Sequence, residues 1–174
     1  MEADRPTPRP ERHGRARRGF LKNRGFEDGL EGWTPVCING PRPRFELDTE
    51  VVREGRQALR VTASQPVDAS CYQEVMLKPG QWYRFSGWVR TRGLNPRGSS
   101  VYGTFHVHAR AVNDFIARGR NYGEDTEWTP VSLTFQARGD GLTRIVLFFV
   151  GFGQGTGTAW FDDLGLVEVS QPAR

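Results

Sequence analysis

The sequence predicts an all-β sandwich, and three observations carry that prediction. Short runs of β-branched and aromatic residues recur along the chain. Turn signals such as KPG, NPRG, RGDG and GQGTG separate them, and no amphipathic helix of normal length interrupts them. Composition agrees: 21 Gly and 11 Pro in 174 residues supply turns, and 11 Phe and 5 Trp suit strands, whereas 2 Met and few Ala-Leu runs argue against a helical bundle.

Taken in order, the strands read as RFELDT (44–49), QALRVTA (57–63), CYQEVML (71–77), WYRFSGWVRT (82–91), VYGTFHVHARAV (101–112), TPVSLTFQA (129–137), TRIVLFFVGF (143–152) and TAWFDDLGLVEV (158–169). Asp114 to Trp128 is the longest loop candidate. GFGQGTG (151–157) opens no helix and joins two strands, so it reads as a hairpin loop and not as a phosphate cradle. Side chains alternate across a strand. Tyr83, Phe85, Gly87 and Val89 therefore share one face, and Arg84, Ser86, Trp88 and Arg90 the other. In the next strand Val101, Gly103, Phe105, Val107 and Ala109 form the core face, and Tyr102, Thr104, His106, His108 and Arg110 look outward. Phe148 and Val150 fall on a covered or concave outer surface, because both faces of their run are apolar. Two neighbouring outer faces would then present aromatic and hydrogen-bonding groups together, which suits a sugar with its apolar ring faces and hydroxyls.

Before the first of these strands lies NRGFEDGLEGW (23–33), too rich in glycine for a helix and too acidic for a core strand. A simple turn, a carboxylate metal site and a fold signature all fit it. The closing strand carries a related irregularity. Ala159 and Phe161 are in one phase and Leu164 and Leu166 in the other, so a bulge is expected at Asp162-Asp163.

The length fits one domain, residues 20–170, behind a Pro- and Arg-rich arm at 1–19 that reads as a disordered basic tail or linker. Six arginines against three acids give the arm +3 of the net +4, which leaves the domain near neutral and argues against nucleic acid as its partner. No stretch reaches the roughly 18 apolar residues of a membrane span. MEADRPTPRPERHGRARRG has no apolar core and does not read as a signal peptide, so either a cytoplasmic protein or a piece of a larger exported one is expected. Cys37 and Cys71 allow one disulfide or two thiols, and spacing does not choose between them.

The motifs together resemble the carbohydrate-binding modules of families four, nine and twenty-two. NRGFEDGLEGW is similar to their N-terminal signature of Asn, Gly-Phe-Glu and Gly-Trp. EGRQALRV, YQEVMLKPGQWYRFSGWVRT, EWTPVSLTF and GTGTAWFDDLGLVEV follow in the family's order, over about residues 22–169. The resemblance implies a galactose-binding-like jelly roll, a β-sandwich of two antiparallel sheets. It implies a non-catalytic module that binds a polysaccharide on a concave sheet, with Trp88, Tyr102, His106 and His108 as the expected ligand contacts and Arg84, Arg90, Arg110 and Tyr122 around them. Trp88 either stacks on a sugar or lies under a loop. Trp33, Trp128, Phe26 and Phe161 are expected in the core. Extracellular work, attached to a catalytic domain in a larger protein, is also implied. So is a structural calcium ion held by Glu27 and Asp162, with backbone carbonyls near 23–25 and 55–57 completing its oxygen shell. Without metal, the same two carboxylates would cap turns or accept backbone hydrogen bonds.

Other classes fit less well. His106 and His108 share a face and could chelate a metal, but no third histidine follows them and the next acid is Asp114. A glycosidase needs two carboxylates across one cleft, and the neighbours Asp162 and Asp163 point to opposite faces. There is no Gly-x-Ser-x-Gly elbow. The alternative to a sugar module is a jelly roll kept for structural or protein–protein contact, since fold alone does not give function.

Overall fold

The computed structural model describes residues 19–98, 100–109 and 114–173. The expected tail up to residue 18, and Arg110 among the site candidates, lie outside the described residues. All regular structure described is β: β1 (Thr34–Asn39), β2 (Arg44–Asp48), β3 (Ala58–Met76), β4 (Trp82–Arg97), β5 (Val101–His108), β6 (Phe115–Arg118), β7 (Glu124–Gln136) and β8 (Leu142–Val169). Among the described residues no helix is long and apolar enough to cross a membrane.

All pairings are antiparallel, and two long strands organise them. The first part of β3 pairs with β2 and with the second part of β8, through Leu59↔Phe161 and Val61↔Ala159. Its second part pairs with β1 and with the first part of β8, through Ser70↔Phe148 and Tyr72↔Val146. Register shifts between Ala63 and Ser70 mark where β3 changes layers. One layer is thus β2, β3, β8, β4 and β7, and the other is β1, β3, β8, β5 and β6. The jelly-roll sandwich of two antiparallel layers follows, sharing the bent strands β3 and β8.

The core lies between the layers. Phe105 of β5 meets Phe85 of β4 at 4.9 Å between ring centroids and Phe161 of β8 at 6.0 Å, which joins one layer to the other. Gly87 makes room for this contact: a Cβ there would stand 2.8 Å from the Phe105 ring. Phe26, Trp33 and Phe161 are buried as expected, but Trp128 is only half-buried. It falls out of phase with the core residues Val131, Leu133 and Phe135 of its own strand.

Several element boundaries differ from the sequence reading. The runs 57–63 and 71–77 are halves of β3, and 143–152 and 158–169 are halves of β8. GFGQGTG is therefore not a hairpin loop. It continues the strand, and Gly155 pairs with both Val67 and Pro96. Glycine is needed there because the flanking backbones crowd in: a Cβ on Gly155 would lie 2.9 Å from the Asn95 carbonyl oxygen. β1 carries no clear strand signal in the sequence, because TPVCIN is a short edge strand with a proline in it. Within the expected loop 114–128, β6 pairs with β5, and β7 begins at Glu124.

Candidate functional site

The stretch 23–33 is a turn wound around Asn23. Its Nδ2 donates to the carbonyls of Gly29 (2.9 Å) and Glu31 (3.1 Å), and its Oδ1 accepts from the Asp28 N–H (3.1 Å). The Asn23 carbonyl accepts the Trp33 indole N–H at 3.1 Å, and Phe26 sits beneath at 5.4 Å from the Trp33 ring. Asn23 and Phe26 both take positive φ, 45° and 57°, a conformation held by this web of bonds. The Arg24 carbonyl accepts the Leu164 N–H, tying the turn to β8.

Glu27 and Asp162 both face the loop 53–57. Glu27 accepts the N–H groups of Arg56 (2.7 Å) and Gln57 (3.2 Å), and the Arg56 guanidinium stands on its other oxygen at 3.0 Å. The Arg56 backbone bond and guanidinium hold the Glu27 carboxyl below its ordinary value. Asp162 is fully buried and accepts from Arg53 N (2.8 Å), Glu54 N (3.0 Å) and Asp163 N (2.7 Å). Burial pushes its carboxyl up, against the pull of these bonds. A calcium shell is made of oxygens. Here the two carboxylates are turned to N–H donors, with a guanidinium already on one of them, and that donor set does not fit the expected ion. Asp163 takes φ 50°, and the β4 pairing slips between Ser86 and Trp88, which forms the bulge the phase change requires.

The expected ligand residues divide between the two layers. Trp88, Arg84 and Arg90 lie on the outer face of the β4 layer. The Arg53 guanidinium covers the Trp88 ring at 3.9 Å, and Arg90 is paired with Glu127 at 3.5 Å and leans toward Trp160. His106 and His108 lie on the outer face of the other layer, so they do not join Trp88 in one site. Bending of the long strands is the reason: β4 and β5 are consecutive in sequence but belong to opposite layers.

Neither histidine is open to solvent, contrary to the outward exposure expected. Their rings contact each other (His106 Nδ1 to His108 Nε2, 3.5 Å) and are covered by Phe115 and Phe148. Burial first, then the neighbouring His108 and Arg118, pushes His106 down to about 3, so its ring is neutral. Tyr102 and Tyr122 are half-buried against the core rather than displayed. Tyr102 keeps the phase of the histidines in the β5–β8 register, but its ring lies against Gly123, in the segment read as a loop.

What the second layer displays around its histidines was not among the expected contacts. Phe152 is 43% exposed and stacks on Phe115 (5.5 Å) and Phe148 (5.7 Å). A shallow cleft of about 60 Å³ beside them is lined by Val36, Ile38, Tyr72, His108, Arg144 and Phe148, among others. Arg144 bonds Glu74 at 2.8 Å and lies over the Tyr72 ring at 4.7 Å. Strand phase does place Tyr72, Glu74, Arg144 and Phe148 on shared faces, but only once their strands are known to pair.

Comparison with known proteins adds four findings. A family model described as a carbohydrate binding domain matches residues 19–153. Exochitinase 1 of Streptomyces olivaceoviridis is 31% identical over 152 residues, which cover 85% of this chain but 21% of that protein. Among solved structures, TmCBM61 in complex with β-1,4-galactotriose superposes with a TM-score of 0.65 at 20% identity, covering 88% of this chain and all of that one. The CBM22-1 xylan-binding domain of Paenibacillus barcinonensis Xyn10C superposes at 0.58 and 16% identity, covering 86% and 94%. Both likenesses are of fold. With most of its described length inside the family model, the chain belongs to the carbohydrate-binding domain family.

Proposed function

We propose that the chain is a non-catalytic module that holds a polysaccharide on the outer face of the β1–β3–β8–β5–β6 layer. The observation that carries this is the apolar and polar surface around the shallow cleft. Ile38, 63% exposed, lines the cleft with Tyr72 and Arg144 of the Glu74–Arg144 pair, and Phe152, 43% exposed, packs on the lining residue Phe148. A sugar offers apolar ring faces to the apolar residues and hydroxyls to the polar ones. Flexible, well-hydrated chains repay little net energy, so modest affinity is expected. The exochitinase relative and the xylan-binding neighbour support a place in a larger, exported glycan-active protein. The N–H groups that occupy Glu27 and Asp162 support a domain that closes without calcium.

The test is calorimetric titration of the whole chain with neutral soluble polysaccharides, including xylan, galactan and chitin oligomers. Saturable binding that is lost in Phe152→Ala and Tyr72→Ala is expected. If binding survives both substitutions, the glycan sits elsewhere. If no glycan binds the folded chain, a protein-contact role for the exposed apolar residues replaces this reading.

A further inference from the structure

The opposite face, on the β4 layer, has a different character. We propose that it is a second binding surface, for a carboxylated (uronate-type) glycan, built on Arg24, Arg84 and Arg53 around Trp88. A groove of about 320 Å³ runs there, and its lining includes Arg24, Arg84, Ser86, Trp88, Ser132 and Asp163. Arg84, Ser86 and Trp88 lie on one face of β4, so the groove spans five residues of strand, four steps of rise or about 13 Å. That length suits a chain of sugars better than a small anion. Its floor is low because Ser86 stands between Ser132 and Gly165 in the strand pairing.

Charge points to the ligand. Elsewhere on this face the arginines are neutralised: Arg60 bonds Asp48 and Glu46, and Arg90 and Arg92 share Glu127. Arg24, Arg53 and Arg84 are exposed and have no carboxylate within ion-pair distance among the described residues, although Asp163 lines the same groove. One of the three is held in place. The buried carboxylate of Asp162 fixes the Arg53 backbone, and the guanidinium lies over Trp88 at 3.9 Å, with no side-chain hydrogen bond or ion pair among the described residues. Arg24 is tied to β8 through its carbonyl. Separated guanidinium forks at the groove, with serine hydroxyls between them, match carboxylates repeated along a hydroxylated chain. The surface is independent of the face proposed above, since the layers are back to back.

The test uses the full chain and polygalacturonate, with methyl-esterified pectin as the matched polymer whose carboxylates are capped, and with duplex DNA and heparin as other polyanions. Arg24→Gln with Arg84→Gln should weaken polygalacturonate binding at least about tenfold, the worth of one lost charge-assisted bond. Phe152→Ala should leave that binding intact, even where it abolishes neutral-glycan binding. The esterified polymer should bind more weakly than the free acid. Both arginines are exposed, so the double variant is expected to melt like the wild type. Binding unchanged in the double variant would place the contact elsewhere, the arginine-rich arm included, and overturn the proposal. Equal binding of the esterified polymer, or DNA or heparin bound as tightly as polygalacturonate, would overturn it as well.

Discussion

Acid should destabilise this domain through His106, and the size of the effect follows from its surroundings. The ring is fully buried against Phe115 and Phe148, with His108 at 3.5 Å and Arg118 across the strand pair. In the native state it takes a proton only near pH 3; in the unfolded chain it does so near its ordinary value of 6.5. Between those values the unfolded state binds more protons, so stability falls as pH drops and is fully present only above about 6.5. At pH 5 the gap of about one and a half units from the unfolded value corresponds to about 2 kcal/mol, at about 1.4 kcal/mol per unit. For a domain of this size that lowers the melting temperature by roughly 4–8 °C. The assay is urea denaturation at pH 7 and pH 5 for the wild type and for His106→Leu, which keeps an apolar side chain of similar bulk but cannot be protonated. The variant should lose less stability than the wild type over that range, whatever its stability at pH 7. Equal losses in both proteins, or an imidazole of His106 that titrates near 6 by NMR, would refute the reasoning.

Asn23→Ala removes three side-chain hydrogen bonds from the turn, and a loss of about 2–3 kcal/mol in urea denaturation is expected, with the strand content in circular dichroism preserved. Gly87→Ala places a methyl group against Phe105 and Leu164, so overpacking should cost about 1–3 kcal/mol in the same assay. Asp162→Ala strands three backbone N–H groups and should cost about 3 kcal/mol or more. EDTA should leave the wild-type melting temperature unchanged. A drop reversed by added calcium would show that Glu27 and Asp162 do bind the ion.

Much of the fold was readable because its signals are local. Period-two alternation put Phe85, Phe105 and Val107 in the core, and the switch of phase from Phe161 to Leu164 located the bulge at Asp162-Asp163. The site was less readable because its composition depends on pairing at long range. Trp88 and His106 have similar local sequence character, yet β4 and β5 enter opposite layers. Nothing beside Tyr72 in sequence signals that Val146 will lie opposite it and Arg144 over its ring. Exposure misled in the same way: His106 does face away from the core, but Phe115 from the segment read as a loop covers it.

The two outer faces also show why an aromatic residue at an outward strand position is an ambiguous sign of sugar binding. A ring must offer a face to a sugar, and two of the outward tryptophans of the β4 layer, Trp88 and Trp160, are already engaged. Trp88 lies under the Arg53 guanidinium at 3.9 Å. Trp160 is 7% exposed, donates its indole N–H to Asp48 at 2.9 Å, and sits between Arg60 and Arg90 in the strand pairing. Rings held this way anchor guanidinium groups, and an anchored guanidinium selects for carboxylates rather than for apolar ring faces. In the other layer the relation is reversed. Phe148 and Phe115 serve as a base on which Phe152 stands exposed; Arg144, beside that base, is neutralised by Glu74, and Arg118 lies over the Phe115 ring at 4.7 Å. On the two proposals made above, a neutral glycan is assigned to the Phe152 face and a charged one to the Arg84 face. Double substitution, Phe152→Ala with Arg84→Gln, should give losses that simply add, because the two sites share no partner and are separated by the core.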